Sequence, residues 1–162
     1  YADILLEDHI VTKLLTCRED IVLVVDNTIQ YHSPEANKVQ DLVISKLKHQ
    51  PTRRKISFVC ENVISKIGAK LNLETATHEF IGLAKFTKTG RDQFLQTYED
   101  CVKNYQGKFQ EAADIARFTF TDLIQEMIDR GYAIHFLEIH KGWLEIHRYE
   151  DIDLANRFLS HH

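Results

Sequence analysis

The fold of this chain is decided by the stretch Asp20-Ile21-Val22-Leu23-Val24-Val25-Asp26. Five apolar residues stand between two aspartates, so a strand here is apolar on both of its faces. Such strands are typical of a parallel sheet that helices cover on both sides. Residues 7–16 before it show the apolar spacing of a helix, and residues 1–4 have the pattern of the end of an earlier strand. The beginning of the chain therefore predicts a right-handed βαβ unit.

The rest of the chain predicts further strands and helices. Strands are predicted at residues 42–47, 56–60, 63–67, 79–86, 133–139 and 143–146, and the middle ones have a more antiparallel character. Helices are predicted at residues 91–106, from the N-cap Thr121 to Gly131, and at 150–159. The first of these carries an apolar stripe that we expect to face the core: Phe94, Leu95, Tyr98, Val102 and Tyr105. One α/β domain over residues 1–162 accounts for the whole pattern.

Composition excludes several classes of partner. The 162 residues are 44% hydrophobic and 27% charged, which is ordinary for a folded globular domain. The formal net charge is -4 and no basic stripe is present, so a nucleic-acid partner is disfavoured. No apolar run approaches the roughly 20 residues that span a bilayer, so no membrane partner is expected. Cys17, Cys60 and Cys101 form no CxxC pair, and we expect three reduced thiols in a cytoplasmic protein.

Three parts of the chain carry a family resemblance. The first is Tyr1-Ala2-Asp3-Ile4-Leu5 together with the strand at residues 20–26. The second is Glu79-Phe80-Ile81-Gly82-Leu83-Ala84-Lys85-Phe86. The third is Thr121-Asp122-Leu123-Ile124-Gln125-Glu126-Met127-Ile128-Asp129-Arg130-Gly131, continued by Trp143-Leu144-Glu145-Ile146 and Glu150-Asp151. In this order and spacing they resemble the cytidylyltransferase-type nucleotidyltransferase domains that are fused to phosphoenolpyruvate phosphomutase or act on phosphocholine and phosphonates.

This resemblance implies an α/β fold with a Rossmann-like nucleotidyltransferase sheet, mostly parallel with antiparallel additions. The family's first strand and its Gly-rich nucleotide loop have no counterpart here, and the six glycines form neither GxGxxG nor GxxxxGK. We therefore expect the chain to be the C-terminal portion of such a domain, truncated at its N-terminus. The loss of a preceding unit would expose a sheet edge, which makes a homodimer possible.

The resemblance also implies a Mg²⁺ site, with Mn²⁺ as an alternative ion. Asp3 corresponds to the family's metal-binding aspartate, although it could instead cap the following helix or face solvent. Glu145 is the second expected ligand. His147 stands where the family has an aspartate, and imidazole suits Mg²⁺ less well than a carboxylate does. His147 is therefore an uncertain third ligand, and a surface histidine is an equally good interpretation.

Two further residues are expected at the substrate site. By resemblance Trp143 lies at the acceptor pocket, although a lone tryptophan more often packs in a core. Glu79 precedes an apolar strand and is a candidate for the nucleotide crevice, with solvent exposure as the simpler interpretation. Glu138 and His140 share a strand face and could form a zinc cluster with Glu145 and His147, but polar residues at a sheet edge are commoner.

The leading functional hypothesis is a nucleotidyltransferase that moves CMP from CTP to a phosphonate or phosphocholine-type acceptor and releases pyrophosphate. Its partners would be a nucleoside triphosphate and a small phosphate or phosphonate acceptor. The alternative hypothesis is a noncatalytic remnant, or a regulatory or oligomerisation module, that keeps the fold without the nucleotide loop. Whether this chain is itself an enzyme is left open by the sequence, and so is the catalytic residue.

Overall fold

The computed structural model describes residues 3–31, 40–46, 62–146, 149 and 151–160. Within these residues the strands are β1 (Ile4–Leu6), β2 (Ile21–Asp26), β3 (Leu42–Ser45), β4 (Ile64–Gly68), β5 (His78–Phe86), β6 (His135–Ile139) and β7 (Trp143–Glu145). The helices are α1 (Asp8–Thr16), α2 (Lys88–Asn104), α3 (Phe120–Asp129) and α4 (Asp151–Ser160), with short 3-10 turns at Thr28–Tyr31 and Ile115–Arg117. The strand predicted at residues 56–60 lies outside the described residues.

The main sheet has five strands in the order β4-β3-β5-β2-β6. Its one parallel pairing in the described part of the chain is between β2 and β6, and the other three pairings are antiparallel. The α/β class is confirmed, with a sheet that is mixed and more antiparallel than the sequence predicted. Strand β2 is buried at every position, as its apolar sequence requires.

Strand β1 is not part of that sheet. It pairs antiparallel with β7 in a separate two-stranded ribbon, in the register Ile4–Glu145, Leu5–Leu144 and Leu6–Trp143. The predicted βαβ unit from β1 through α1 to β2 is therefore wrong. Periodicity locates α1 and β2 correctly, whereas β1 begins at Ile4, where the predicted strand was expected to end. Periodicity also carries no information about which strands pair with each other.

Helices cover both faces of the main sheet. One apolar cluster packs α1, through Ile10 and Leu14, on the face formed by Val22, Val24 and other residues. A second cluster packs α3 on the opposite face, which includes Leu23 and Val25, with Phe94 of α2 against it. Because successive side chains of β2 point to opposite faces of the sheet, its continuous apolar run contributes residues to both clusters.

The apolar stripe of α2 does not face the core as predicted. The buried residues of this helix are Gly90, Thr97 and Cys101, whereas Leu95, Tyr98, Val102 and Tyr105 are between 39% and 49% exposed. Phe94 of the stripe packs against the core cluster, and Tyr105 makes an edge contact with the buried Phe109, with ring centroids 4.9 Å apart. None of the described helices is long and apolar enough to cross a membrane.

Two cysteines lie among the described residues, and they differ in state. Cys101 is a buried free thiol, and Cys17 is disulfide-bonded. The expectation of reduced thiols is therefore wrong for Cys17. The cytoplasmic location stays a prediction.

Candidate functional site

The carboxyl ends of β2 and β6 form the candidate site. These two strands are parallel neighbours, in the register Asp26–Ile139 at their last residues. In open α/β sheets ligands bind in the crevice outside the carboxyl ends of the parallel strands. The chain continues there into Asn27 and Thr28 after β2, and into His140 and Lys141 after β6. Polar side chains from both segments therefore meet at this edge.

Asp26 is a buried side chain of this edge that accepts three hydrogen bonds. It is 4% exposed. Its Oδ1 accepts hydrogen bonds from the backbone N–H of Thr28 at 2.9 Å and of Lys141 at 3.3 Å. Its Oδ2 accepts a hydrogen bond from Nε1 of Trp143 at 2.6 Å. Three N–H donors thus hold a buried carboxylate in one orientation, and the shortest of them comes from the separate β1–β7 ribbon.

The turn that carries the chain from β6 to β7 has an unusual backbone. Lys141 has φ 64° and Gly142 has φ 86°, so two consecutive residues lie in the left-handed region. A Cβ on Gly142 would lie 3.2 Å from Cδ of Glu7, and the carbonyl of Gly142 accepts a hydrogen bond from the Glu7 N–H at 3.0 Å. A left-handed conformation at a non-glycine residue is uncommon, and such positions cluster at functional sites. This tight turn brings Trp143 next to Asp26.

Glu79 lies directly opposite Asp26 on the neighbouring strand β5. Directly opposed residues of an antiparallel pair share one face of the sheet, so the two carboxylates are close neighbours. Glu79 is half-buried, and its Oε2 accepts a hydrogen bond from Nε2 of Gln40 at 2.9 Å. The expectation that Glu79 faces the nucleotide crevice, with solvent exposure as the simpler interpretation, stays a prediction.

A second polar row lies on the other face of the same edge. Nδ1 of His140 is 2.7 Å from Oδ1 of Asn27, which is fully buried. Nε2 of His78 is 2.9 Å from Oε2 of Glu138, and both of these side chains are buried as well. Glu138 and His140 therefore have separate partners, and the described part of the chain contains no group of three His, Cys, Asp or Glu side chains that could hold a metal ion.

Trp143 packs against the α1-side apolar cluster and donates its indole N–H to Asp26. Both interpretations made from the sequence, a place at a ligand pocket and packing of the ring, are compatible with this position. Glu145 follows two residues later on β7 and therefore points to the same face as Trp143.

Asp3 lies at the beginning of the β1–β7 ribbon, and its expected role as a metal ligand stays a prediction. It precedes β1, and its carbonyl accepts a hydrogen bond from the Ile146 N–H at 2.7 Å, which extends the ribbon by one pair. Glu145 is paired with Ile4, the next residue, so strand alternation places the side chains of Asp3 and Glu145 on opposite faces of the ribbon. The third expected ligand, His147, lies outside the described residues.

Asp26 is the residue that the sequence analysis missed. Asp26 is the aspartate at the carboxyl end of β2, which is parallel to β6. The signal was present, since Asp26 ends the most apolar stretch of the chain. Asn27 and His140 flank the same edge and follow from the same argument.

Comparisons with known proteins bear on the fold. The sequence matches no protein-family model and no curated protein. The structure is similar to that of the inositol-1-phosphate CTP transferase from T. maritima, with a TM-score of 0.60 and 18% sequence identity. The alignment covers 98% of this chain and 52% of that one, so the chain spans about half the length of that enzyme. The likeness confirms the expected nucleotidyltransferase-like α/β fold.

Proposed function

We propose that this chain is part of a nucleotidyltransferase that moves CMP from CTP to a small phosphorylated acceptor. The observation that carries the proposal is the polar site around Asp26 at the carboxyl ends of β2 and β6, in a fold similar to that of a CTP transferase. The neighbour's acceptor is inositol 1-phosphate by its description. The acceptor expected from the sequence, a phosphonate or phosphocholine, belongs to the same chemical class and remains the finer part of the proposal.

The proposed reaction joins two anionic partners. An oxygen of the acceptor's phosphate or phosphonate attacks the α-phosphorus of CTP, and a new P–O bond forms there. The bond from the α-phosphorus to the oxygen that bridges to the β-phosphorus breaks, and pyrophosphate leaves with that electron pair. The protein's contribution to such a transfer is alignment of the two partners and stabilisation of charge.

A Mg²⁺ ion would supply most of that charge neutralisation when bound. Mg²⁺ is usually held in proteins by one or two carboxylates together with substrate phosphates, rather than by a complete protein cage. Asp26 and Glu79, neighbouring carboxylates on one sheet face, fit this requirement, because a cation would offset the repulsion between them. Glu145, the second ligand expected from the sequence, is the alternative to Glu79 because it shares the face of Trp143. The geometry favours Asp26 over Asp3 for the first ligand.

The test uses the natural protein that contains this chain. Pyrophosphate release from CTP with Mg²⁺ or Mn²⁺ is measured against inositol 1-phosphate, phosphocholine and a simple alkylphosphonate, and thermal unfolding is followed with CTP and with UTP. We expect release with at least one acceptor and a rise in melting temperature with CTP, since a ligand that binds only the folded state stabilises it. Asp26→Asn should abolish release, whereas Asp153→Asn on the exposed face of α4 should not.

The alternative is a noncatalytic module with an inherited fold. No pyrophosphate release and no nucleotide-dependent shift in melting temperature would overturn the enzyme proposal in favour of that module. Equal activity of the Asp26→Asn and Asp153→Asn variants would keep the enzyme but remove the site from the carboxyl end of β2.

A further inference from the structure

We propose, building on the proposed function, that Trp143 is a positioning residue: its indole N–H fixes the Asp26 carboxylate so that one oxygen lone pair is aimed at the ligand. The hydrogen bond from Nε1 to Oδ2 is 2.6 Å long, which is within the range of charge-assisted bonds. Trp143 itself is half-buried and is the one tryptophan of the chain.

The number of donors supports a positioning role. An ionised carboxylate offers about four lone-pair sites. Asp26 receives three donors: two backbone N–H groups on Oδ1, from Thr28 and Lys141, and the indole N–H on Oδ2. One site, on Oδ2, therefore remains for a cation or another ligand. Trp143 occupies the other site of Oδ2, so it decides where the remaining one points.

The indole is itself held in place by two independent features. Its ring packs against the apolar cluster that contains Ile10 and Val24, so the plane of the ring is set by α1 and β2. Its backbone follows the left-handed turn at Lys141 and Gly142, whose Lys141 N–H binds the same aspartate. Asp26 therefore stabilises the turn that positions Trp143, and the Trp143 N–H in turn orients the Asp26 carboxylate.

The hydrogen bond also joins two structural units. Asp26 belongs to the five-stranded sheet, whereas Trp143 begins β7 in the β1–β7 ribbon. Glu145 lies on the same face of that ribbon, two residues further on. The contact between Trp143 and Asp26 thus sets where the Glu145 carboxylate of the ribbon lies relative to the Asp26 carboxylate of the sheet. A cation bound by both carboxylates would need this relative position to be fixed.

The decisive comparison is between Trp143→Phe and Trp143→His, made in the natural protein that contains this chain. Phe fills more of the indole's volume but has no N–H, whereas His fills less and retains a ring N–H donor. A packing role predicts that Phe is the better replacement for affinity and turnover. The positioning role predicts the reverse, with Mn²⁺·CTP binding at least tenfold weaker in Trp143→Phe and partly restored in Trp143→His. Tyr149→Phe, at an aromatic side chain that is 89% exposed, is the matched control and should leave binding unchanged.

A measurement that needs no catalysis separates failure of this inference from failure of the proposed function. The indole ¹H–¹⁵N resonance that is lost in Trp143→Phe identifies Trp143, and we expect this resonance to move upfield in Asp26→Asn. In the wild type it should broaden when Mn²⁺ and CTP are added together. An indole resonance that Asp26→Asn leaves unchanged, or binding that Trp143→Phe retains better than Trp143→His, overturns the positioning role. Absence of pyrophosphate release together with the expected resonance changes would overturn the transferase proposal and leave the Trp143–Asp26 relationship standing.

Discussion

His78 and Glu138 form a hydrogen-bonded pair inside the main sheet, with Nε2 of His78 2.9 Å from Oε2 of Glu138 and side chains that are 0% and 1% exposed. The pair spans β2, since His78 is on β5 and Glu138 is on β6. Nδ1 of the same imidazole is 2.8 Å from Oγ1 of Thr77, so both ring nitrogens have partners. A polar pair this deep constrains the packing of the sheet directly beneath the candidate site.

Replacing one member of this pair should destabilise the protein more than replacing both. His78→Phe or Glu138→Met alone leaves the other polar group buried without its partner, which we expect to cost about 2–3 kcal/mol in the free energy of unfolding. The double variant restores apolar contact and should lose less than the sum of the two. Urea denaturation of the four proteins measures the coupling, with Glu99→Met on the exposed face of α2 as the control. Strictly additive losses would contradict a direct interaction.

The chemistry of Cys101 gives a pH-dependent prediction. Burial raises the pKa of this thiol above its ordinary value of 9.0, and the nearby Arg130 guanidinium lowers it by less. A raised thiol pKa means that folding favours the protonated form, so the stabilisation is present below the unfolded pKa and is lost as the pH rises through the folded one. We therefore expect stability to fall above about pH 9, and to fall less in Cys101→Ala.

The measurement compares urea midpoints of the wild type and Cys101→Ala at pH 8 and pH 10. A fall of equal size in both proteins would assign the alkaline loss to other groups. Mass-spectrometric mapping of alkylation by iodoacetamide provides the second readout. Cys101 should react far more slowly in the folded than in the urea-unfolded protein, because thiolate is the reacting species and the native thiol is buried.

The sequence predicts where most of the helices and strands lie, but not which strands pair with each other. The apolar run that became β2 and the helix α3, which ends just before Gly131, lie where they were predicted, because a continuous apolar strand and a glycine stop are local signals. The N-cap of α3 is Thr119 rather than Thr121: Thr119 forms a capping box with Asp122, and Thr121 instead donates to Asp41 at 3.1 Å. Both threonines suit a cap, and only the tertiary contact of Thr121 decides between them.

The candidate site was harder to predict than the fold. Placing an aspartate at the end of a parallel strand required knowing which strands are parallel, and the pairing of β1 with β7 is a nonlocal choice. The resemblance implies that Asp3 is a metal ligand, whereas the geometry supports Asp26 in this role. The hydrogen bond from Trp143 to Asp26 joins residues that are 117 positions apart, so no local sequence pattern predicts it.

The helix α2 offers a test of which apolar residues carry stability. Phe94 packs against the rings of Phe86 and Phe120, with ring centroids 5.3 and 5.7 Å away, whereas Leu95 beside it is 46% exposed. We expect Phe94→Ala to cost about 3 kcal/mol through lost packing and a cavity. Leu95→Gln should stay within about 0.5 kcal/mol of the wild type. Equal losses in thermal or urea unfolding would mean that the stripe is buried in solution, as its spacing first suggested.

Gly90 sets how closely α2 approaches the start of β2. A Cβ at this position would lie 2.2 Å from the backbone oxygen of Asp20 and 2.8 Å from Cγ1 of Ile21, and the same Asp20 oxygen accepts the Thr87 N–H at 2.9 Å. Helix propensity alone would make Gly90→Ala stabilising by about 1 kcal/mol. The clash with backbone that cannot rotate away should outweigh this gain, for a net loss of about 1–3 kcal/mol. Thr89→Ala, exposed on the same turn, is the control for propensity. A urea midpoint that rises in Gly90→Ala would show that α2 can move away from β2 at little cost, and that the close approach is not required by the fold.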